Sequence, residues 1–336
     1  DLGVPVNWAA YEDIASFFTS TLIDGKKVYG HMDYGKKSPS LGWRFTDSWL
    51  SIAGVGDVGL PNGRPVDEWG IRVENRIPVG STVSRGGALN SPAAVYALPK
   101  YIDWLKKYAP PKALNWRWVD AGPKAAQGNI AQRIFQYITW LSDDAFTQPG
   151  SPMLGKDGLP VWRVAPTPHG RYWEKGMKAG YQDAGSWTIP KNTQGSRRSA
   201  AWLWAQFCVS KTVSVEKFIA GGTPVRHSTL NSNYVQNNKK KWGGIVEFYT
   251  SQQEKLWTDS GLNIPHYPSM SKVWWPQIAR AIKGEISSEQ AMNAIAKKQD
   301  DILARLDMAR LSPALNPKKS DEFWLAKPGA PKPNKD

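Results

Sequence analysis

The sequence predicts an α/β fold. Short apolar strands alternate with amphipathic helices along most of its length. Its 336 residues are enough for two domains, or for two lobes woven from one chain, and 41% of them are hydrophobic, which is enough for a substantial core. No apolar run approaches the roughly 18 residues that would span a bilayer.

Lys27–Met32 reads as a short strand leaving an Asp24-Gly25 turn. Residues 54–92, rich in Gly, Pro and polar side chains, read as loop with brief strands. A helix then starts, with Ser91 as its cap and Pro92 in its first turn. It turns Ala94, Leu98, Ile102 and Leu105 to one side and stops at Pro110-Pro111. A second helix is expected from about Gly128, with Ala131, Ile134, Phe135 and Ile138 facing inward. Val161–Val164 and Ser186–Ile189 read as strands closed by prolines. Ser199–Ser210 reads as a mostly apolar helix, and Ser214–Ala220 as a short one stopped by Gly221-Gly222. Ser287 and Gln290 have the spacing of a capping box at the head of a long helix that carries Met292, Ile295, Ile302 and Leu306 inward. The Pro- and Lys-rich stretch from Pro313 to Asp336 is expected along the surface. No internal repeat is evident.

The formal charge of +14 would attract phosphates. However, the basic residues are scattered, and the one tight cluster, Lys239-Lys240-Lys241, reads as a solvated loop. No zinc-finger spacing or aromatic RNP-type strand is present, so nucleic acid is not an expected partner. Cys208 is the single cysteine, which leaves no internal disulfide. His31, His169, His227 and His266 include no pair at metal-ligand spacing. A nucleophile elbow, a phosphate-binding loop and a dinucleotide fingerprint are all missing. Asp33, Asp183, Asp143, Asp144 and Glu247 cannot be paired into a hydrolase site from sequence. These features favour a binding protein without cofactor or metal over an enzyme, with a carbohydrate-active hydrolase or lectin-like binder as the alternative. The 18 tryptophans outnumber both tyrosine and phenylalanine. Indole faces suit the C–H faces of sugars, and the indole N–H can bond a hydroxyl, although most of these rings must be structural.

Several segments together resemble the carbohydrate-type solute-binding proteins of ABC transporters, the maltose-binding-protein-like family. Asp24–Met32 is similar to that family's strand leading to the hinge, with His31 where proline is usual. Ala94–Tyr108 with Pro110-Pro111 is similar to a family helix, and Gln127–Gln132 to the entry of a cleft-lining element. Pro168–Pro190 resembles the approach to a glycine-containing cleft loop. Ser199–Ser210 resembles the family's "A-A-W" helix, and Pro268–Trp275 its "P-x-M-S-x-x-W" segment. Trp118–Trp140, Tyr181–Trp187 and Val246–Trp275 resemble most closely the branch that handles glycerol and related polyols.

The resemblance implies a two-lobed periplasmic-binding-protein fold with discontinuous, hinge-linked lobes and a ligand cleft between them. Residues 1–33 and 190–222 would belong to the first lobe, whose start would be missing. Residues 35–187 and 226–320 would form the second, with 321–336 as an extended tail. Crossings are expected near Tyr34, Ile189 and Pro224. The resemblance also implies a periplasmic monomer that closes on a small neutral polyhydroxy ligand and is read by the membrane subunits of an ABC transporter.

Its cleft maps onto eight residues. Asp33 and Tyr34 lie at the first crossing, where they could equally be ordinary hinge residues. Tyr137 and Trp140 follow the Gly128 segment, where core packing is the alternative. Asp183 and Gly185 lie in the cleft loop, in which a carboxylate can accept two hydroxyls or simply order the loop. Arg226 could donate to a hydroxyl or pair at the surface. Trp274 matches the family's stacking position, so its face is expected open to the ligand and that of Trp275 buried. His31, His169 and Cys208 are expected to be structural.

Overall fold

The computed structural model describes residues 5–55, 69–74, 77–134, 143–177, 180–182, 187–251, 257–259, 267–305, 320 and 322–323. Helix α1 (Trp8–Ser20) begins where Asn7 Oδ1 accepts the Ala10 N–H at 2.9 Å, and its Trp8, Tyr11 and Ala15 form one buried face. Strands β1 (Leu22–Ile23) and β2 (Lys26–Lys27) pair antiparallel about the expected turn, where Asp24 and Gly25 take φ of 48° and 73°. The predicted strand is shorter than its apolar run: beyond Lys27, only an isolated bridge joins Tyr29 to Ile130.

Helix α2 (Pro39–Arg44), a π-helical stretch (Phe45–Leu50) and α3 (Ser51–Ala53) form one rod, which buries Leu41, Phe45, Trp49, Leu50 and Ile52. The loop expected over 54–92 contains brief strands, as anticipated. Strands β3 (Arg72–Glu74) and β4 (Ile77–Gly80) pair antiparallel, with an irregularity at Arg72/Val73. Helix α4 (Pro92–Lys107) opens as the sequence predicts: Ser91 Oγ accepts the Ala94 N–H and Pro92 occupies the first turn.

The helix expected from Gly128 onward is corrected. Helix α5 (Trp118–Lys124) lies before that residue and runs into a 3₁₀ turn that Gly128 closes at φ 72°. A glycine that accommodates the left-handed conformation ends a helix as readily as it precedes one. Residues 128–134 are not helical, and Phe135 and Ile138 lie outside the described residues.

Helix α6 (Asp144–Thr147) follows. Val161–Val164 forms no ladder, because Trp162 and Val164 pack sideways against an apolar cluster instead of pairing. Residues 187–190 form no strand either. The described sheets are three two-stranded ladders, so this part of the protein is mostly helical. In the third ladder, β5 (Gly180–Gln182) pairs parallel with β6 (Trp257–Asp259).

The remaining elements are α7 (Gly195–Cys208), α8 (Lys211–Ile219), α9 (His227–Leu230), α10 (Asn233–Asn238), α11 (Ile245–Thr250), α12 (Tyr267–Lys283) and α13 (Ser288–Arg305). The capping box at α13 forms in both directions: Gln290 N–H donates to Ser287 Oγ at 3.0 Å, and Ser287 N–H to Gln290 Oε1 at 2.9 Å. Helices α12 and α13 pack on each other, α12 packs on α2, and α4 packs on the π-helical stretch and α13.

Among these helices lies the main core. Its centre is a tryptophan triad: Trp8–Trp49, Trp8–Trp104 and Trp49–Trp104 have ring centroids 5.1, 5.3 and 4.8 Å apart. Much of the unusual tryptophan content is therefore packing, in tilted and edge-on contacts that rings favour. A second cluster gathers Phe218, Leu230, Val235, Ile245 and Val246. A third gathers Met32, Tyr34, Ala121 and Phe146 beside the first expected crossing.

Candidate functional site

The stretch from His31 to Tyr34 runs between α1, α2 and α4 and carries a buried polar centre. Asp33 is only 3% exposed. Arg44 grips its carboxylate: Nε lies 3.0 and 3.1 Å from the two oxygens, and Nη2 lies 2.9 Å from Oδ2. Arg44 Nη1 also donates to Ser48 Oγ at 2.9 Å, and the Tyr34 N–H donates to Asp33 Oδ1 at 2.9 Å. Tyr34 O–H donates to the Ser40 carbonyl, and Tyr101 O–H to the Tyr34 carbonyl.

His31 is fully buried beside this pair. Tyr11 O–H lies 2.8 Å from His31 Nδ1, and Nε2 stands 3.8 Å from Asp33 Oδ2. Burial lowers the imidazole pKa to about 4, although the Asp33 carboxylate raises it in part, so the ring is neutral near pH 7. A neutral ring that accepts the Tyr11 hydroxyl at Nδ1 carries its proton on Nε2, facing Asp33. The Tyr11 and Tyr101 phenols are raised well above their ordinary values, first by burial and then by the Asp33 charge. Burial pulls the Arg44 guanidinium down, but its contacts with Asp33 outweigh this and leave it raised. Burial, with Arg44 nearby, lowers Arg133 to about 10.

Chemically, this centre is an anchor. The Asp33 oxygens are occupied by Arg44 and a backbone N–H, so the carboxylate faces the protein in this structure. Its expected contact with a ligand hydroxyl would require Arg44 to withdraw. Tyr34 is likewise buried, with its hydroxyl spent on the backbone. Sequence reading missed Arg44. The available signal was an arginine flanked by Leu41, Trp43, Phe45, Trp49 and Leu50, where a buried cation needs an anionic partner.

The open face expected for Trp274 is corrected. The residue lies in the body of α12, 0% exposed, with its ring centroid 3.9 Å from that of Trp69 and inclined at 66°. Helix α2 comes so close at Gly42 that an added β-carbon there would lie 3.3 Å from the Trp274 Cβ. Trp275, expected in the core, is only partly buried, with Lys37 Nζ 5.9 Å from its ring centroid. The α12–α2 packing thus turns position 274 inward and position 275 toward the flank.

Arg226 is exposed, and its Nη1 donates to the Val209 carbonyl at 2.8 Å. Tyr137, Trp140, Asp183 and Gly185 lie outside the described residues. Of the four expected contacts among the described residues, Asp33, Tyr34, Arg226 and Trp274, the structure brings together Asp33 and Tyr34. His31 and Cys208 are buried, and His169 stacks on Trp173 with ring centroids 4.5 Å apart. A groove of about 380 Å³ next to Tyr34 is lined by Gly35, Lys36, Lys37, Asn115, Ile282 and Lys283. Among the described residues there is no group of three or more His, Cys, Asp or Glu placed to hold a metal ion, and no helix is long and apolar enough to cross a membrane.

No protein-family model and no curated protein matches the chain. Solved structures do. A ribitol-bound ABC-transporter solute-binding protein from Agrobacterium radiobacter K84 is similar at TM-score 0.61 and 18% identity, over 89% of this chain and 65% of that one. Maltose-bound T. maritima MalE3 is similar at TM-score 0.64 and 20% identity, over 89% and 66%. A tagatose-bound ABC-transporter solute-binding protein from Thermotoga lettingae TMO is similar at TM-score 0.59 and 20% identity, over 90% and 65%. The likeness establishes the periplasmic-binding-protein fold. The chain spans about 65% of the length of these structures.

Proposed function

We propose that this chain belongs to an extracytoplasmic solute-binding protein of an ABC importer, and that its ligand is a small neutral sugar or polyol such as glycerol. The observation that carries this reading is the fold likeness to proteins holding ribitol, maltose and tagatose. It agrees with the family resemblance of the sequence and with the lack of any catalytic motif in it.

In this reading residues 190–222 belong to the first lobe, 35–187 and 226–320 to the second, and 321–336 to a tail; the resemblance also gives residues 1–33 to the first lobe, although Trp8, Tyr11 and Ala15 of α1 are buried in one core with Trp49 and Trp104 of the second. The chain crosses between lobes near Tyr34, Ile189 and Pro224. The Asp33–Arg44 pair then stiffens the base of the first crossing, so that motion is confined to a few flanking residues. Tyr137, Trp140, Asp183, Gly185 and Arg226 remain the proposed contacts. A ligand whose hydroxyls bridge the lobes binds the closed form better and shifts the population toward it. The transporter's membrane subunits recognise that form, outside the cytoplasmic membrane.

The test is native mass spectrometry of freshly purified protein, followed by titration of its tryptophan fluorescence with glycerol, ribitol, maltose and a dipeptide. A retained polyol or sugar mass, or a saturable response to one of the first three, is expected. A response to the dipeptide alone would overturn the ligand class.

A further inference from the structure

The groove beside Tyr34 has two walls that share one core. One wall is the stretch Gly35–Lys37. Its Gly35 N–H donates to the Ala113 carbonyl at 2.9 Å, and its Lys36 N–H to the Trp116 carbonyl at 3.0 Å. A β-carbon added at Gly35 would meet Leu105 Cδ2 at 2.6 Å and Leu114 Cα at 3.3 Å, so glycine lets this wall sit close. The other wall is the last turn of α12, where Ala279, Ile282 and Lys283 share one helix face. Ala279 and Ile282 belong to the main core, and Leu114 packs against it. The space between the walls, about 380 Å³, therefore has an apolar floor and a fixed shape. Its volume suits a small molecule.

The rim carries one sign of charge. Lys36, Lys37, Lys283 and Asn115 line the groove and are exposed, and among the described residues no carboxylate lines it. Lys37 Nζ lies 5.9 Å from the Trp275 ring centroid, a contact that favours this position of the ammonium. The acidic groups that reach these lysines have partners of their own. Glu285 Oε1 stands 3.9 Å from Lys283 Nζ, while its Oε2 accepts from Arg280 Nε at 3.3 Å. Asp120, which feels the Lys36 charge, accepts the Arg117 N–H at 2.9 Å. The closing carbonyls of α12 are occupied as well, since Ala281 and Arg280 accept from the Gly284 and Glu285 N–H groups at 3.0 Å. Positive charge is thus in excess beside an apolar floor, and a cleft of that kind concentrates anions.

We propose that this groove binds a small organic dianion, a phosphate monoester on an apolar body. The phosphoryl group would bridge Lys36 and Lys37 on one wall and Lys283 on the other, with Asn115 donating an amide hydrogen. The apolar body would lie on Leu114 and Ile282. Lysines on two facing walls favour a group with three acceptor oxygens and nearly two charges over a singly charged carboxylate. Both walls belong to one core, so occupancy needs no closure of lobes. The site is independent of the neutral ligand proposed above.

Isothermal titration calorimetry tests this, with phenyl phosphate as the probe and inorganic phosphate and benzoate as comparisons. Phenyl phosphate should bind saturably, about tenfold tighter than inorganic phosphate, which lacks the apolar body, or benzoate, which lacks the second charge. Lys283→Gln and the Lys36→Gln/Lys37→Gln pair should each weaken binding by about tenfold. Lys240→Gln, in the lysine run outside the groove, should leave it unchanged. All four lysines are exposed, so these variants should melt with the parent. No saturable binding, equal affinity for either comparison anion, or an equal loss in Lys240→Gln would each overturn the proposal. The last would reduce it to general attraction toward a basic protein. The fluorescence titration keeps the two readings apart: a polyol response without phenyl phosphate binding removes this inference alone, and the reverse removes only the neutral ligand.

Discussion

Arg44 clasps Asp33 from one turn into the helical rod, and the hydrogen bonds of 2.9–3.1 Å occupy both carboxylate oxygens in a site that is almost wholly buried. The pair joins the extended Met32–Tyr34 segment to the helix that follows it, so the direction in which the chain leaves the expected crossing is set by one ion pair. Breaking a buried pair on one side strands a charge and costs about 3–5 kcal/mol.

Arg44→Met should therefore lower unfolding stability by that amount. The Asp33→Asn/Arg44→Met double variant, which strands no charge, should recover at least half of the loss. Urea denaturation followed by circular dichroism measures both, and a double variant no better than the single one would refute the assignment.

His31 makes the fold sensitive to acid. Its pKa is lowered from 6.5 to about 4, so as pH falls below 6.5 the unfolded chain takes up this proton and the folded one does not. The stabilisation is complete above about 6.5 and declines as pH falls toward 4, by on the order of 1–3 kcal/mol. The groups facing the ring are Tyr11, Asp33 and Arg44. His31→Gln should flatten the stability profile between pH 5 and 6.5, and a profile unchanged from the parent would show that the ring titrates normally.

Trp274 and Trp275 should differ in the way their burial dictates. Trp274→Ala opens a cavity against Trp69 and α2 and should cost about 3–5 kcal/mol. Trp275→Ala, on the flank, should cost less than half as much. Thermal melts of the two variants decide it, and equal losses would mean that α12 is rotated from its position here.

Asp300 holds the turn after β4 onto α13. Its Oδ1 accepts the Ser81 N–H at 2.6 Å and its Oδ2 the Thr82 hydroxyl at 2.7 Å, while Gln299 Oε1 accepts the Ser81 hydroxyl at 2.6 Å. Asp300→Asn turns one acceptor into a donor and should cost about 1–3 kcal/mol. Faster amide hydrogen exchange at Ser81 than in the parent should accompany the loss. Unchanged exchange there would argue against the contact.

The sequence alone determined the helices whose ends carry local chemistry. Ser91-Pro92 starts α4 and the Ser287–Gln290 box starts α13, because caps are satisfied within three residues and need no distant partner. The Asp24-Gly25 turn follows from the same locality, and the order of family-like segments pointed to the fold that the solved structures share with this chain. Tertiary structure alone decided which apolar residues form strands and which way each ring faces. Val161–Val164 has the composition of a strand, but a strand needs a neighbour, and Trp162 packs into a cluster instead. Trp274 and Trp275 are adjacent and chemically identical, and only the approach of α2 at Gly42 and of Trp69 turns one of them inward. The partnership of Asp33 with Arg44 is also a fact of folding, since eleven residues separate a carboxylate and a guanidinium that become an ion pair only when the helical rod folds back over the crossing.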